Sequence, residues 1–511
     1  MGFLDLAGAA ADAEVARLRL ADDDPATLQH RELMARALAL VGVWVRQRLG
    51  GPAHPADDDL TTAHGWVRHL ATRQSPGGTF VGGDNVLSPP DSAFTVNDVC
   101  DALELLAPHR ATVPAAAALA DDLDAIVHRA TPALLTGGVH TPNHRWEIAA
   151  ALARVHRLHP AAALLDRIDA WLAEGPDIDA DGLWSERSPN YASAVSGPSF
   201  LVLAAVLDRP ALLDPVRRSL DATLALLLPD DTVETVQSRR QDQSQPFGIG
   251  PFAPLLWHVA VLDGRGDLAA VAARAAVAET WQPATVAARS MTDPLLGRPL
   301  PEPVALAPAV HTFADARLVH VREPDRSVVL FAGSDVPAQG HVRSGLANSP
   351  TFLRVVVGSV VLSDVRLSRE FFGLGPFRPT ALESLGDGRF RLTETVSAGY
   401  HQPLPASARQ PDGCYPLADE GRFSAAMAFG ARSVDTVVLS TTVDVAVTPD
   451  AVVLDVVTFG PGNGAGPGQP ACYAPGQDYA FLGGTDRPQG EHVHVTGRAP
   501  GSARIVIGTG R

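Results

Sequence analysis

The stretch Leu295–Pro308, LLGRPLPEPVALAP, divides this chain of 511 residues. Pro299, Pro301, Pro303 and Pro308 each fix φ and withhold an N–H, so neither a helix interior nor a central strand passes through it. Composition changes across it. All seven tryptophans fall at or before Trp281, and four of the five tyrosines fall at or after Tyr400. A chain this long exceeds what one hydrophobic core usually serves, so the linker predicts two domains, residues 1–300 and 301–511.

Upstream, Ala- and Leu-rich segments place apolar residues at i, i+3, i+4 and i+7, as in Arg31–Leu49, Pro114–Arg129 and Ile148–Leu158. Further helices are predicted over His64–Ala71, Val96–Leu106, Ala161–Ala173, Ala192–Leu207, Leu212–Leu228, Pro254–Leu262 and Leu268–Glu279. Short connections imply antiparallel pairs, and so many pairs suggest an (α/α) toroid. Downstream, Leu318–Arg322, Ser327–Phe331, Phe352–Leu362, Arg389–Val396, Thr436–Val447 and Ala451–Phe459 are rich in Val, Thr and Phe. These read as strands of an antiparallel β-sandwich. The fold class is therefore multidomain α+β. The Gly/Pro tract Gly460–Gln477 reads as a surface loop.

Hydrophobic residues make up 46% and charged residues 19% of the chain, enough apolar surface for sizeable cores. Asp and Glu outnumber Lys and Arg by 57 to 41, a net charge of -16 that argues against a nucleic-acid or anionic-membrane surface. Cys100, Cys414 and Cys472 lie far apart and form no C-x-x-C pair, so they read as reduced thiols rather than a disulfide framework or zinc site. The N-terminus shows no basic start followed by an apolar run, and no uncharged apolar stretch of membrane-spanning length is evident; the expectation is a cytoplasmic protein. A homo-oligomer is compatible with the sequence.

Four segments concentrate polar and aromatic residues. In Gly82–Asp98, GGDNVLSPPDSAFTVND, the glycines and prolines predict a rigid loop before a helix capped by Thr95, with Asp84, Asp91, Asn97 and Asp98 available to sugar hydroxyls; ordinary Asx turns are the alternative. In Thr141–Glu147, TPNHRWE, Asn143 is the expected N-cap of a helix whose first turn holds His144, Arg145, Trp146 and Glu147. A helix N-terminus favours an anion, and plain capping by Asn143 and Glu147 is the structural alternative. The third, Asp181–Ala192, DGLWSERSPNYA, carries Glu186, Arg187, Asn190 and Tyr191, the only tyrosine before residue 400. In the fourth, Val236–Pro246, Arg239, Arg240, Gln241 and Gln243 cluster after a helix, where an arginine fork matches a carboxylate. Beyond the linker, Gly340–Gly345 and Gly399–Pro405 add His341, Arg343, Tyr400 and His401.

A helical toroid followed by a β-sandwich, the pair Asn143-His144, Tyr191 after DGLWSE, and Gly340-His341 early in the sandwich resemble the heparinase II/III-like polysaccharide lyases and their alginate-lyase relatives. The resemblance implies β-elimination at a uronic acid in an acidic oligosaccharide or polysaccharide. Asn143 and His144 would hold the carboxylate, Tyr191 would act as acid, base or both, and His341 would sit at the site. Arg240 is a plausible addition to that set. Trp146, Glu147, Glu186, Arg239, Gln241, Arg343, Tyr400 and His401 would contact sugar. A tyrosine of ordinary pKa, about 10, is a poor base at neutral pH unless cations stabilise its phenolate. Many such lyases carry a second histidine as zinc ligand where Arg343 stands here. An arginine cannot ligate zinc, and Asp364 and His401 alone are too few, so no metal and no cofactor are expected. The main alternative is an inverting glycoside hydrolase using two of Asp91, Glu147 and Glu186. A non-catalytic carbohydrate-binding protein is the third.

Overall fold

The computed structural model describes residues 2–20, 23–49, 58–339, 345–369, 371–460, 470–473, 495–498 and 501–509. The chain folds as two compact units. One comprises Met1–Leu227 and Phe247–Leu306, the other Leu228–Pro246 and Ala307–Arg511. The segment 228–246, which in sequence follows a helix of the first unit, thus belongs to the second.

The first unit is helical: α1 (Phe3–Leu20), α2 (His30–Leu49), α3 (Asp58–Thr72), α4 (Pro89–Leu106), α5 (Pro114–Thr136), α6 (Asn143–Leu158), α7 (Ala162–Leu172), α8 (Gly197–Leu207), α9 (Asp214–Ala225), α10 (Ala253–Asp263), α11 (Gly266–Ala275) and α12 (Pro283–Ser290). The apolar stripes of α2 to α6 meet in one core, where Leu38, Trp44, Val99, Leu123, Ile126, Ile148 and Leu152 are buried. The last helix returns to the first two. Ala284 N donates to Glu14 at 2.7 Å, Thr285 Oγ1 donates to Ala35 O at 3.1 Å, and a Cβ on Gly42 would lie 2.4 Å from that of Ala288, so only glycine permits this approach of α12 to α2.

Helix α8 departs from the expected continuous helix 192–207. A turn over Pro189–Tyr191, N-capped by the Ser188 side chain, leads into a π-helical turn over Ala192–Ser196 before α8 begins. Gly197 N bonds Ala192 O, five residues back, and Pro198 has no N–H to continue an α pattern at that point. The stretch Pro189–Leu207 is long and apolar enough to cross a bilayer, contrary to the expectation that none existed; half of it is buried inside its unit. Phe200 in its middle packs on Trp146 and Trp184, as a core helix does.

The second unit is built on two antiparallel five-stranded sheets. The first runs in chain order: β1 (Ala309–Phe313), β2 (Leu318–Arg322), β3 (Arg326–Phe331), β4 (Leu353–Val357) and β5 (Val360–Val365). The second comprises β6 (Ala381–Gly386), β7 (Arg389–His401), β8 (Val434–Val447), β9 (Ala451–Phe459) and β10 (Gly501–Gly508), ordered β10-β9-β8-β7-β6. Val328, Leu330, Leu353 and Val355 of one sheet share a core with Phe390, Leu392, Val443, Val445, Val452 and Leu454 of the other, which makes the pair a β-sandwich. Along β9 burial alternates from Ala451 to Val456, so Val452, Leu454 and Val456 point in while Asp455 points out to pair with Arg504 of β10. The expected strand Phe352–Leu362 is instead the hairpin β4–β5, turned at Gly358 with φ +55°. The tract Gly460–Gln477 lies largely outside the described residues, which include its short strand Pro470–Tyr473.

Candidate functional site

The loop predicted over Gly82–Asp98 ends at Ser88. The Ser88 side chain accepts the Asp91 N–H at 3.1 Å, and Pro89 and Pro90 occupy the first turn of α4, positions that lack intrahelical donors anyway. Thr95 is therefore no cap. It lies inside α4 with its hydroxyl 2.7 Å from His30 Nδ1. Asp91, Asn97 and Asp98 are buried on the same helix and are engaged by protein groups rather than presented to a sugar. Asp91 accepts from Asn85 N and Nδ2 at 2.8 and 3.1 Å and pairs with Arg31. Asn97 donates to Glu147 Oε1 at 2.6 Å and accepts from Arg154 at 3.1 Å, while Asp98 pairs with Arg289 at 2.7 Å. Burial pushes the Glu147 carboxyl up to about 7, against the opposing Asn97 hydrogen bond and the charges of Arg154, Arg289 and Arg31. Burial likewise pulls His30 down to about 4, helped by the neighbouring Arg31 charge.

Helix α6 begins one residue earlier than a cap at Asn143 would place it. Pro142 is the N-cap, and Asn143 is already helical, its Oδ1 accepting from Thr141 Oγ1 at 2.9 Å. Asn143 Nδ2 is buried and has no hydrogen-bond partner among the described residues. A buried amide donor left open costs free energy, which a ligand oxygen there would recover. His144 is buried beside it, edge-on to His140 at 4.7 Å and to Phe94 at 6.4 Å between ring centres. Trp146, read as a sugar contact, is fully buried; its indole N–H donates to Asp177 at 2.7 Å. Glu147 faces Asn97 and takes no part in capping.

Tyr191 is half-buried at the junction where the first helical turn passes into the π-helical turn, and its N–H donates to Ser188 Oγ at 3.2 Å. The π turn packs against α6, which packs against α4, which packs against α2. Glu186 is buried in the preceding loop, and Arg187 adopts φ +50°.

One residue absent from the expected set ties these elements together. Arg31, in the first turn of α2, lies 4.2 Å over the Phe94 ring, pairs with buried Asp91, and stands 3.7 Å from the exposed carboxylate of Asp84. Burial lowers its pKa, and the charges of Asp84, Glu147 and ionised Tyr191 act in the opposite sense. Phe94 is thus shared by Arg31 and His144. Through these contacts the N-terminal turns of α2, α4 and α6 meet, and the start of the Tyr191 segment lies within the field of Arg31. Each such turn presents the positive end of a helix dipole, so the arrangement suits a negatively charged ligand group.

The remaining candidates belong to the second unit. Arg239 forms a two-point ion pair with Asp335 at 2.8 and 3.2 Å, and Arg240 N donates to Ser238 Oγ at 3.1 Å. Gln241 is exposed at the start of a 3-10 turn. Tyr400 and His401 end β7 rather than forming a turn: Tyr400 is exposed against Phe372, and His401 packs on Phe429 with Nε2 3.7 Å from Glu420. Asp364 accepts from Thr351 and Arg366, both at 3.1 Å, so its hydrogen bonds are with its own neighbours rather than with His401. These partners do not fit a shared metal held by the pair. His341 and Arg343 lie outside the described residues.

No protein-family profile and no curated protein matches the chain. Solved structures do share its architecture. Heparan sulfate lyase HepC from Pedobacter heparinus is 13% identical, with TM-score 0.45, over 84% of this chain and 62% of its own. A mutant of that enzyme is 11% identical, with TM-score 0.44, over 79% and 59%. Heparinase III is 13% identical, with TM-score 0.48, over 81% and 60%. The chain therefore spans about 60% of the length of these structures.

Proposed function

We propose that the protein is a polysaccharide or oligosaccharide lyase that cleaves a uronic-acid-containing glycan by β-elimination. The observation that carries this reading is that His144 and Arg31 share the Phe94 ring, with Asn143 next to His144 in the first turn of α6 and the Tyr191 segment packed on that helix. In this reading the uronate carboxylate accepts from Asn143 Nδ2 and from His144. That draws charge away from the neighbouring carbon as its proton leaves. The ionised Tyr191 oxygen takes that proton, and the electron pair forms the carbon–carbon double bond. The glycosidic oxygen departs from the adjacent carbon and receives the proton back from Tyr191. Arg31 supplies positive charge to the phenolate side of the cycle. The products are an unsaturated uronate and a free hydroxyl, and no group outside the chain is needed.

The hydrolase alternative needs two of Asp91, Glu147 and Glu186; Asp91 is held by Arg31 and Asn85, and Glu147 by Asn97, so of the three only Glu186 remains and the pair is not made. The proposed setting is the cytoplasm, with short acidic oligosaccharides as substrates. The test is absorbance at the ultraviolet band of an unsaturated uronate during incubation with uronic-acid oligosaccharides. Wild type should generate it, and Tyr191→Phe should lower the rate by about 10²- to 10⁴-fold. Release of reducing ends without the band would replace elimination by hydrolysis. A rate that does not rise with pH on the alkaline side would remove Tyr191 as the base.

A further inference from the structure

The first turn of α2 reads His30-Arg31-Glu32, and only Arg31 of these points its charge toward the start of α4. Its guanidinium is held from two sides that differ in kind. Asp91 is 2% exposed, is fixed by Asn85 and belongs to the capped turn of α4, so that pair is part of the framework. Asp84 is 61% exposed and stands 3.7 Å from Arg31 Nη1, beyond hydrogen-bond length, with one further contact, from Gln29 Nε2 at 3.2 Å. A loose ion pair in solvent contributes little to stability and is easily exchanged.

The backbone around Asp84 is anchored on both sides. Gly82 O accepts from His30 N at 3.4 Å, and Asn85 is bound to Asp91. A Cβ on Gly83 would lie 2.5 Å from His30 Nε2, so the loop passes close over α2 only because that residue is glycine. Rotation of the Asp84 side chain therefore suffices to uncover Arg31, with the backbone in place. Next to it Val86 is 93% and Leu87 55% exposed, two apolar side chains presented to solvent at the rim of a charged position. Large apolar side chains exposed together mark a contact surface, and the CH face of a sugar ring is an apolar surface of matching size.

We propose that Arg31 is the specificity-determining residue that reads an acidic group of the glycan, and that Asp84 occupies Arg31 as an intramolecular stand-in for that group until substrate displaces it. Arg31 keeps Asp91 on one side of its fork and offers the other to a substrate carboxylate or sulfate, while Val86 and Leu87 cover the adjoining ring. Neutral glycans do not pay the exchange and gain nothing from Arg31. The proposal rests on the reading of the substrate as an acidic glycan and is independent of how the bond is broken.

The test is binding, measured by calorimetry with the full chain, of a glucuronate tetrasaccharide and of the same tetrasaccharide with its carboxylates reduced to alcohols. Asp84→Asn keeps the Gln29 contact and removes the competing charge. It should tighten the acidic sugar about two- to fivefold, the size of an exposed ion pair, and leave the neutral one unchanged. Arg31→Gln, made together with Asp91→Asn so that no buried charge is stranded, should weaken the acidic sugar about tenfold or more relative to Asp91→Asn alone. Unchanged or weaker binding of the acidic sugar by Asp84→Asn overturns the proposal, as does an equal gain for the neutral sugar. Tight, Arg31-dependent binding without any unsaturated product would leave it standing and overturn only the elimination reading.

Discussion

Arg31 and Trp146 exchange the roles their surroundings in sequence suggest. An arginine at the head of HRELMARALAL looks like one member of a solvated face, whereas it sits over Phe94 and against a buried aspartate. Trp146, between Arg145 and Glu147, looks like a sugar platform, yet it fills the core and holds Asp177. Trp146→Phe should therefore cost about 1 to 3 kcal/mol of stability in denaturant unfolding, through the stranded Asp177 contact and lost packing, while leaving KM near wild type. Asn143→Ala should show the reverse pattern: a small change in unfolding midpoint, because it loses only the half-buried Thr141 hydroxyl contact at Oδ1 while Nδ2 has no partner among the described residues, and a loss of about 10²-fold or more in turnover. A drop in stability without a drop in turnover would make Asn143 a structural residue. Tyr191 and the Asn143-His144 pair stand out in sequence because their composition differs from an alanine-rich background. Arg31 does not, because its significance depends on Phe94 and Asp91, about sixty residues away.

At the scale of elements, periodicity marked the helices well and their beginnings poorly. Pro89-Pro90 reads as a loop, but Ser88 turns both prolines into the first turn of α4, and Asp91, Ser92 and Thr95 of the supposed loop are buried by that shift. The strands found from sequence are the valine-rich inner ones. Strands β1, β6 and β10 went unread because edge or near-edge strands carry Ser, Glu, Gly and Thr on their open faces. The buried polar layer between α2, α4 and α6 has its own pH signature. Glu147, raised from 4.5 to about 7, stabilises the fold when protonated, and that contribution is lost as pH rises through this window. His30, lowered from 6.5 to about 4, has the opposite sign: its contribution is present above the ordinary histidine range and is lost as pH falls toward 4. Between about pH 4.5 and 6.5 the two nearly cancel. Glu147→Gln keeps the Asn97 hydrogen bond and removes one side of the balance. Its stability relative to wild type should rise with pH by up to about 3 kcal/mol between pH 4.5 and 7, read from urea unfolding. A difference that is flat with pH would mean that Glu147 does not titrate there.

Over the whole molecule the net charge is -16, whereas the proposed site is one for an anion. Long-range repulsion and short-range attraction separate with ionic strength, since the screening length falls from about 30 Å at 0.01 M to about 10 Å at 0.1 M. Association of an acidic oligosaccharide should therefore speed up as salt is raised over this range in stopped-flow measurements, the inverse of ordinary steering; a rate that falls would place a larger positive surface around the site. The proline-rich linker predicts a division near residue 300, whereas residues 228–246, well before it, belong to the second unit, because a short polar loop after a helix carries no periodicity to betray its destination. Glu234 in that excursion is fully buried and meets Arg354 at 2.5 Å, a partner 120 positions further along. During synthesis on the ribosome this glutamate emerges long before the arginine that will neutralise it. Residues 228–246 must therefore wait for the strand that carries Arg354, and a release of the chain near residue 306 would leave behind a fragment with an acid seeking a base that never arrives.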